Sequence, residues 1–442
     1  MRLPVKPPKL VDLMGLMVKN SQRLMTILSE VKSPSVSGKY LHWDKLRFHR
    51  PPGDLSPEEW WLGIKYQRSG RPTPLLDKGG EPFMFNLADP LSEYLHEIDL
   101  LTGGVIRMPE QVTNTETRNS YVVRSLVEEA FTSSQLEGAA STREIAKELI
   151  RQERTPRDRG ERMILNNYKT MLMITELRDA PLSKELVLEI HRMVTQDALD
   201  DPTGAGRFRR SDEVRVVGDD EGNIFHLPPD ASQLERRMAD LCDFANENSG
   251  DPFIHPAIRS MIIHFWLAYD HPFIDGNGRT ARALFYWSML KHGYWLFEFV
   301  SISHVIIKSS SQYGRAFLHS ETDGNDLTYF LIYHASVVKK AITELNEYIK
   351  ARSKELKNLE TGLRGMVSLN YRQKELISHA IRHPGRRYTV ESHRASHNVS
   401  RATSNNDLLQ LEKKGLLRRI PGLKVSLFVA VSDLEQKLNE YD

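Results

Sequence analysis

A single cysteine, Cys242, stands in 442 residues, so neither an internal disulfide nor a thiolate metal cage is available, as a reducing compartment permits. Apolar runs long enough to cross a bilayer are lacking as well, which excludes a membrane span. Met1 to Pro8 carries basic residues and prolines but no uninterrupted apolar core, unlike a secretory signal, and a cytoplasmic protein is expected. What is present, 40% hydrophobic and 27% charged residues, is the composition of a globular chain, and the length calls for two or three domains. Cys242 is then expected to be a buried apolar filler.

The small net charge of +2 hides an asymmetry. Residues 361–424 hold 13 Lys and Arg against 4 Asp and Glu, a surplus of +9 that leaves the remainder at −7. A basic module on a mildly acidic body is expected, with nucleic acid as one natural partner.

Along the chain, Leu10, Leu13, Met14, Met17, Leu24, Ile27 and Leu28 recur at helical spacing. From 33 to 74 an aromatic layer follows, with Trp43, Trp60, Trp61 and Tyr66 among prolines and glycines. Helical patterns dominate from Pro90 to Thr195, with breaks near Gly103, Pro109, Pro156 and Pro181. Glu213 to Leu227 reads as a hairpin, with Val214, Val216 and Val217 before a Gly/Asp-rich turn and Ile224 and Phe225 after it. Helices resume at Ser232 and continue to about Leu356, and Lys350 to Thr361 reads as a helix end leading into a linker.

In the basic tail, Arg372–Arg382, Thr389–His397 and Arg401–Lys414 read as three helices, with the turn at Asn398 to Ser400. Leu416–Ile420 and Val425–Val429, joined through Pro421 and Gly422, read as two strands. That is a winged helix-turn-helix pattern. It serves either DNA, through Ser400, Arg401, Thr403, Ser404 and Asn405, or protein contacts and dimerisation.

The densest chemistry lies in His271-Pro272-Phe273-Ile274-Asp275-Gly276-Asn277-Gly278-Arg279-Thr280-Ala281-Arg282. A helix with Ile258, Ile262, Phe265, Trp266 and Tyr269 on its apolar side must end here, because Pro272 expels His271 from the right-handed helical region. Gly276 and Gly278 let successive N–H groups converge, and a helix starting near Arg279 adds its positive end, which makes an anion cradle. Arg279 and Arg282, three apart, can fork onto neighbouring phosphates. Asp275 offers a hard oxygen for Mg²⁺, and neutral His271 can take a proton from a hydroxyl.

This string resembles the motif of the Fic family, and the likeness extends over about residues 90 to 350. The resemblance implies a mostly α fold: a helical bundle with a β-hairpin flap, followed here by the winged helix. Its domains would be a 1–90 amino-terminal extension, a 91–355 core with an inhibitory helix, and a 362–435 tail. It also implies transfer of AMP from ATP to a Ser, Thr or Tyr hydroxyl of a target protein. By resemblance, His271 is the general base, Asp275 the Mg²⁺ ligand, and Gly276, Asn277 and Gly278 the anion hole, while Arg279 and Arg282 hold the β- and γ-phosphates. Phe273 is the loop's core anchor, and the 213–227 hairpin, between Gly206-Arg207-Phe208-Arg209 and His226-Leu227-Pro228-Pro229, is the flap that aligns the target.

Ser133-Ser134-Gln135-Leu136-Glu137-Gly138 looks like the family's inhibitory motif, in which Ser133, Glu137 and Gly138 are the defining positions. Glu137 would pair with Arg282 in the γ-phosphate's place, within one chain or between two, so a homodimer is admitted. In some relatives the equivalent glutamate serves AMP removal, and that activity is admitted here too. The chain departs from the family near the base pocket, where relatives often have two adjacent tyrosines and this chain has Tyr313-Gly314; UTP thus stays beside ATP as a substrate. A second whole-protein reading is a DNA-binding regulator whose Fic-like core senses a nucleotide.

Overall fold

The computed structural model describes residues 2–10, 12–13, 15, 20–102, 115–213, 217–218, 224–248, 252–383, 385–420 and 426–439. Met14, Met17, Gly103, Pro109, the hairpin residues 214–216 and 219–223, and the wing turn with Pro421, Gly422 and Val425 lie outside them. The chain divides into two compact units, Met1–Gly104 with Val122–Thr343, and Val105–Tyr121 with Glu344–Asp442.

The first unit is built from α1 (Ser21–Glu30), α2 (Trp43–Leu46), α3 (Pro57–Gln67), the antiparallel pair β1 (Arg71–Leu76) and β2 (Pro82–Phe85), and α4 (Leu91–Thr102). Then come α5 (Thr115–Leu136), which belongs to this unit from Val122 on, α6 (Arg143–Arg151), α7 (Arg159–Glu176), α8 (Lys184–Thr195) and the short antiparallel pair β3 (Val217–Gly218) and β4 (Ile224–His226). The helices α9 (Leu234–Ala245), α10 (Pro256–Asp270), α11 (Asn277–Lys291), α12 (Ile302–Ile307) and α13 (Ser310–Thr322) follow, and α14 (Thr328–Gly365) begins in this unit.

The central pair, α10 and α11, is buried on nearly every face, as a helix at the middle of a large core must be. Ile258, Ile262, Phe265, Trp266 and Tyr269 are buried as their spacing predicts, but so are Ser260, His264 and Asp270 on the other faces. Burial of those polar groups is compensated by pairing: Ser260 Oγ donates to Ser288 Oγ at 2.8 Å, and Asp270 accepts from Arg237 Nε at 2.7 Å.

The aromatic layer packs as its composition suggests. Trp43, Trp60 and Trp61 share a cluster with Ile27 and Val31, whereas Tyr66 is exposed. Helix α3 starts with a full capping box, Ser56 and Glu59 exchanging bonds around Pro57. Arg68, just past its end, lies over the Tyr40 ring and donates to the Leu41 carbonyl at 2.9 Å and to Tyr329 Oη at 2.5 Å, which ties the layer to α14. Cys242 is buried, and burial pushes its thiol up to about 12, so it is unreactive filler as expected.

The second unit contains the later part of α14, then α15 (Tyr371–Arg382), β5 (Arg387–Thr389), α16 (Val390–His397), α17 (Arg401–Lys413), β6 (Leu417–Ile420), β7 (Leu427–Ala430) and α18 (Leu434–Asn439). Its sheet has the order β5-β7-β6, all antiparallel. Two expectations are corrected here. Residues 350–361 are not the start of a linker, because α14 continues to Gly365 and puts Leu359 and Leu363, one turn apart, into this unit's core with Leu376, Leu408 and Phe428. Ser404 does not face outward: it is fully buried and donates to the Val390 carbonyl at 2.6 Å, leaving Arg401 and Asn405 exposed on α17.

Candidate active site

Helix α10 ends where Pro272 requires, and His271 caps it in the left-handed region at φ 45°, ψ 53°, its N–H bonded to the Leu267 carbonyl. The next helix begins at Asn277, two residues before the expected start. The cause is the Asn277 side chain, whose Nδ2 donates to the Phe273 carbonyl at 2.8 Å while its Oδ1 accepts the Phe273 N–H at 2.9 Å. That clasp folds the loop back on the helix's first turn. Gly276 makes the turn at φ 81°, where any Cβ would also strike Thr195 Cγ2 at 2.6 Å. Among the described residues no side chain caps α11, so the N–H groups of its first turn are free for an anion.

His191, on α8, is a functional residue that sequence reasoning missed. Its ring stacks on Phe273 at 3.7 Å, nearly parallel. Its Nδ1 accepts the Gly206 N–H at 3.0 Å, so the proton sits on Nε2 and is donated to the Asp275 carbonyl at 2.9 Å. Burial lowers its pKa to about 4, which keeps this neutral tautomer. A histidine among Val187, Ile190 and Val194 on an apolar helix face gave the only signal. Arg209 was noticed only as part of a flanking string; it braces the loop from the other side, donating Nε to the His271 carbonyl at 2.9 Å and its N–H to the Pro272 carbonyl at 2.8 Å.

Held in this way, His271 borders a cavity of about 310 Å³ together with Asn277, Gly278, Tyr313, Phe317 and Glu137. Burial, aided by nearby His226, lowers the His271 pKa to about 4, so the imidazole is neutral at physiological pH. Its ring also bonds to the Ala268 carbonyl. One ring nitrogen therefore carries the hydrogen, and the other keeps its lone pair for an incoming proton.

The two arginines differ in state. Arg279 is fully buried and donates Nη1 to the Val194 carbonyl at 2.7 Å; among the described residues its Nε and Nη2 have no hydrogen-bond partner, although Nη2 lies within ion-pair range of Asp275 Oδ1, at 3.6 Å. Buried donors left in this way call for an anionic ligand. Arg282 is engaged: Nε donates to Ser133 Oγ at 2.8 Å, and Nη2 to the Ser133 carbonyl at 3.0 Å and to Glu137 Oε1 at 2.9 Å. Glu137 lies just past α5, where Gly138 at φ 88° closes a Schellman turn with bonds from Gly138 N–H to Gln135 O and from Ala139 N–H to Ser134 O. Its carboxylate rests directly against Gly278, at the head of α11.

Asp275 Oδ1 accepts the Gly276 N–H at 2.5 Å, and Oδ2 pairs with Arg159 at 3.2 Å, an arginine that also reaches Asp200 at 2.8 Å. Tyr313 Oη meets His264 Nε2 at 2.9 Å, and His264 meets His334 at 2.8 Å. The flap strand β4 is fastened through His226, which contacts the Tyr269 carbonyl at 2.7 Å and Glu321 at 2.8 Å. Thus the structure brings His271, Asp275, Gly276, Asn277, Gly278, Arg279, Arg282, Ser133 and Glu137 to one place, with Tyr313 lining the adjoining cavity.

Residues 181–289 match the Fic/DOC family, a span from just before α8 to near the end of α11. Over 109 residues the chain is 38% identical to a protein adenylyltransferase Fic of Nematostella vectensis, covering 24% of this chain and 23% of that protein. Over 108 residues it is 36% identical to the protein of the same name from Drosophila willistoni, covering 24% of this chain and 20% of that one. The match thus spans less than a quarter of either relative. A Fic family protein from Desulfovibrio desulfuricans G20 shares the fold over 78% of this chain and 97% of its own, at TM-score 0.52 and 21% identity. Residues 181–289, which hold the loop described above, thus carry the match to the Fic/DOC family, and the likeness of fold extends beyond them.

Proposed function

We propose that the protein is an adenylyltransferase that moves AMP from ATP to a Ser, Thr or Tyr hydroxyl of a target protein. The observation that carries this is a neutral His271 beside an uncapped helix start and the buried Nε and Nη2 of Arg279, which among the described residues make no hydrogen bond. In the reaction His271 takes the hydroxyl proton and the oxygen attacks the α-phosphorus. The bond from that phosphorus to the bridging oxygen breaks, and pyrophosphate leaves. The α11 N–H groups at Asn277 and Gly278, with Arg279 and Arg282, stabilise the charge on the phosphates, while Gly276, whose own N–H is taken by Asp275 Oδ1, supplies the turn that aims them. Tyr313 and Phe317 line the room for a base.

Mg²⁺ fits the donor set only with help from the nucleotide. Asp275 offers a half-exposed carboxylate, and no group of three or more His, Cys, Asp or Glu among the described residues could hold a metal alone. Asp275 with the phosphates would hold the ion, and bound there it would neutralise phosphate charge. Glu137 serves as a brake, occupying Arg282 and the head of α11 until displaced. Labelling with ATP carrying the label at the α- or the γ-phosphate tests the reading. Protein-bound label from the α position alone supports it; label from γ alone refutes it in favour of a kinase-like phosphoryl transfer; no label even in a Glu137→Gly variant refutes it and leaves the nucleotide-sensing regulator.

For residues 362–435 we infer a winged helix that meets DNA through α17, supported by the exposed Arg401 and Asn405 and the antiparallel sheet behind them. In a binding assay over a salt series, absence of any salt-dependent DNA association would refute it and favour a protein-contact role.

A further inference from the structure

Eight residues before Glu137, within α5, Glu129 is 1% exposed. Its carboxylate is surrounded by donors: Tyr286 Oη at 2.9 Å, Ser301 Oγ at 2.8 Å, Ser303 Oγ at 2.5 Å and the Ser303 N–H at 3.1 Å. The last two come from the start of α12 and the first from α11. No arginine or lysine is among these contacts. The contacts between α5 and α11 fall in a ladder: Glu129 meets Tyr286, Ser133 meets Arg282, and Glu137 meets Arg282 and lies on Gly278. Each step is four residues, forward on α5 and backward on α11, so the helices run antiparallel with one face of each engaged.

The rungs are not equivalent. Both lower ones involve Arg282, which a phosphate would claim, and the Glu137 side chain is 23% exposed. The upper rung is closed to solvent and touches no atom that a nucleotide would need. Sliding α5 by one turn would pull a buried carboxylate from all its donors and take the acceptor from the Ser303 hydroxyl and N–H, while Tyr286 would keep only its bonds to Val300 and Ile302. We propose that Glu129 is the anchor that sets the register of α5 against α11, a positioning residue that acts through Glu137. Release of the brake is then a movement of the last turn and its side chain, while the helix above Ser133 stays in place. The proposal rests on the brake reading given above, but its mechanical part can be measured without it.

The test uses the full chain as wild type, Glu129→Gln, Glu137→Gly and the double variant. Amide hydrogen exchange over 125–138 without nucleotide reads the anchor. Glu129→Gln should speed exchange roughly tenfold through the whole segment, and Glu137→Gly only in the last turn. Incorporation of α-labelled ATP reads the link to the brake. Glu129→Gln should raise it severalfold in the wild-type background and add nothing in the Glu137→Gly background. Unchanged exchange in Glu129→Gln overturns the anchor whatever the labelling shows. An equal fall of labelling in both backgrounds also overturns it, since that is the mark of a residue needed only for stability. Loosened exchange with no gain of labelling in Glu137→Gly instead overturns the brake, and with it the anchor's regulatory role. Should Glu129→Gln not fold, Tyr286→Phe removes one donor and should move both readouts less, in the same direction.

Discussion

The loop from His271 to Gly276 and the strand β4, Ile224–His226, border the same cleft, yet they are held to different degrees. The loop is fixed at nearly every group: a clasp from Asn277, a stacked histidine under Phe273, and Arg209 across its first two carbonyls. Strand β4 pairs with β3 at Val217 with His226 and Gly218 with Ile224 and is fastened at one end through His226, while Ile224 at the other stays exposed. Chemistry on a phosphorus atom needs fixed distances, whereas a strand that greets varied protein segments needs available backbone more than fixed side chains. Changes in the loop should therefore damage turnover, and changes in the hairpin should damage target recognition.

The sharpest break of that contrast is His271→Ala, expected to lower AMP transfer by about 10²–10⁴ in kcat with α-labelled ATP, the range for loss of a general base. A fall under threefold would move the base elsewhere. Asn277→Ala should come next. It leaves the Phe273 N–H and carbonyl buried without partners, at a cost of about 1–3 kcal/mol each, visible as a lower Tm and a collapse of kcat. A Tm loss with intact kcat would mean that the clasp serves stability alone.

Acid provides a third test. The His271 pKa is lowered by burial to about 4, so the neutral base persists as pH falls and is lost only near that value. The acid limb of kcat/KM should accordingly lie well below the 6.5 of an exposed histidine; a limb at 6.5 would show a solvated ring. The mildest change, Ile224→Ala, should shift stability by less than about 0.5 kcal/mol and raise KM for the protein target, with kcat unchanged. If kcat fell instead, the hairpin would belong with the loop.

How much of this was legible in the sequence follows the same division. The phosphate grip was readable because its residues are contiguous, and glycine, proline and arginine each restrict the backbone or the charge in recognisable ways. Glu137 was readable as a motif; that its carboxylate reaches Gly278 from a distant helix was not. His191 escaped because its spacing is that of a core residue, and only the fold shows its two nitrogens sorting a donor from an acceptor. The end of α14 was misplaced because Leu359 and Leu363 sit in a charged stretch whose burial depends on a unit formed later in the chain. Strand β5 escaped for a related reason: three residues, Arg387 to Thr389, become a strand only by pairing with β7, some forty positions on.

Arg279 carries one more consequence. A guanidinium folded out of water, with no hydrogen bond to Nε among the described residues and only a 3.6 Å ion pair to Asp275 at Nη2, makes the empty domain less stable than its packing alone would give. An oxyanion that completes the set becomes part of the folded state. Pyrophosphate, with no base and no transferable group, should then raise the melting temperature in proportion to the logarithm of its concentration, and Arg279→Met should abolish that gain.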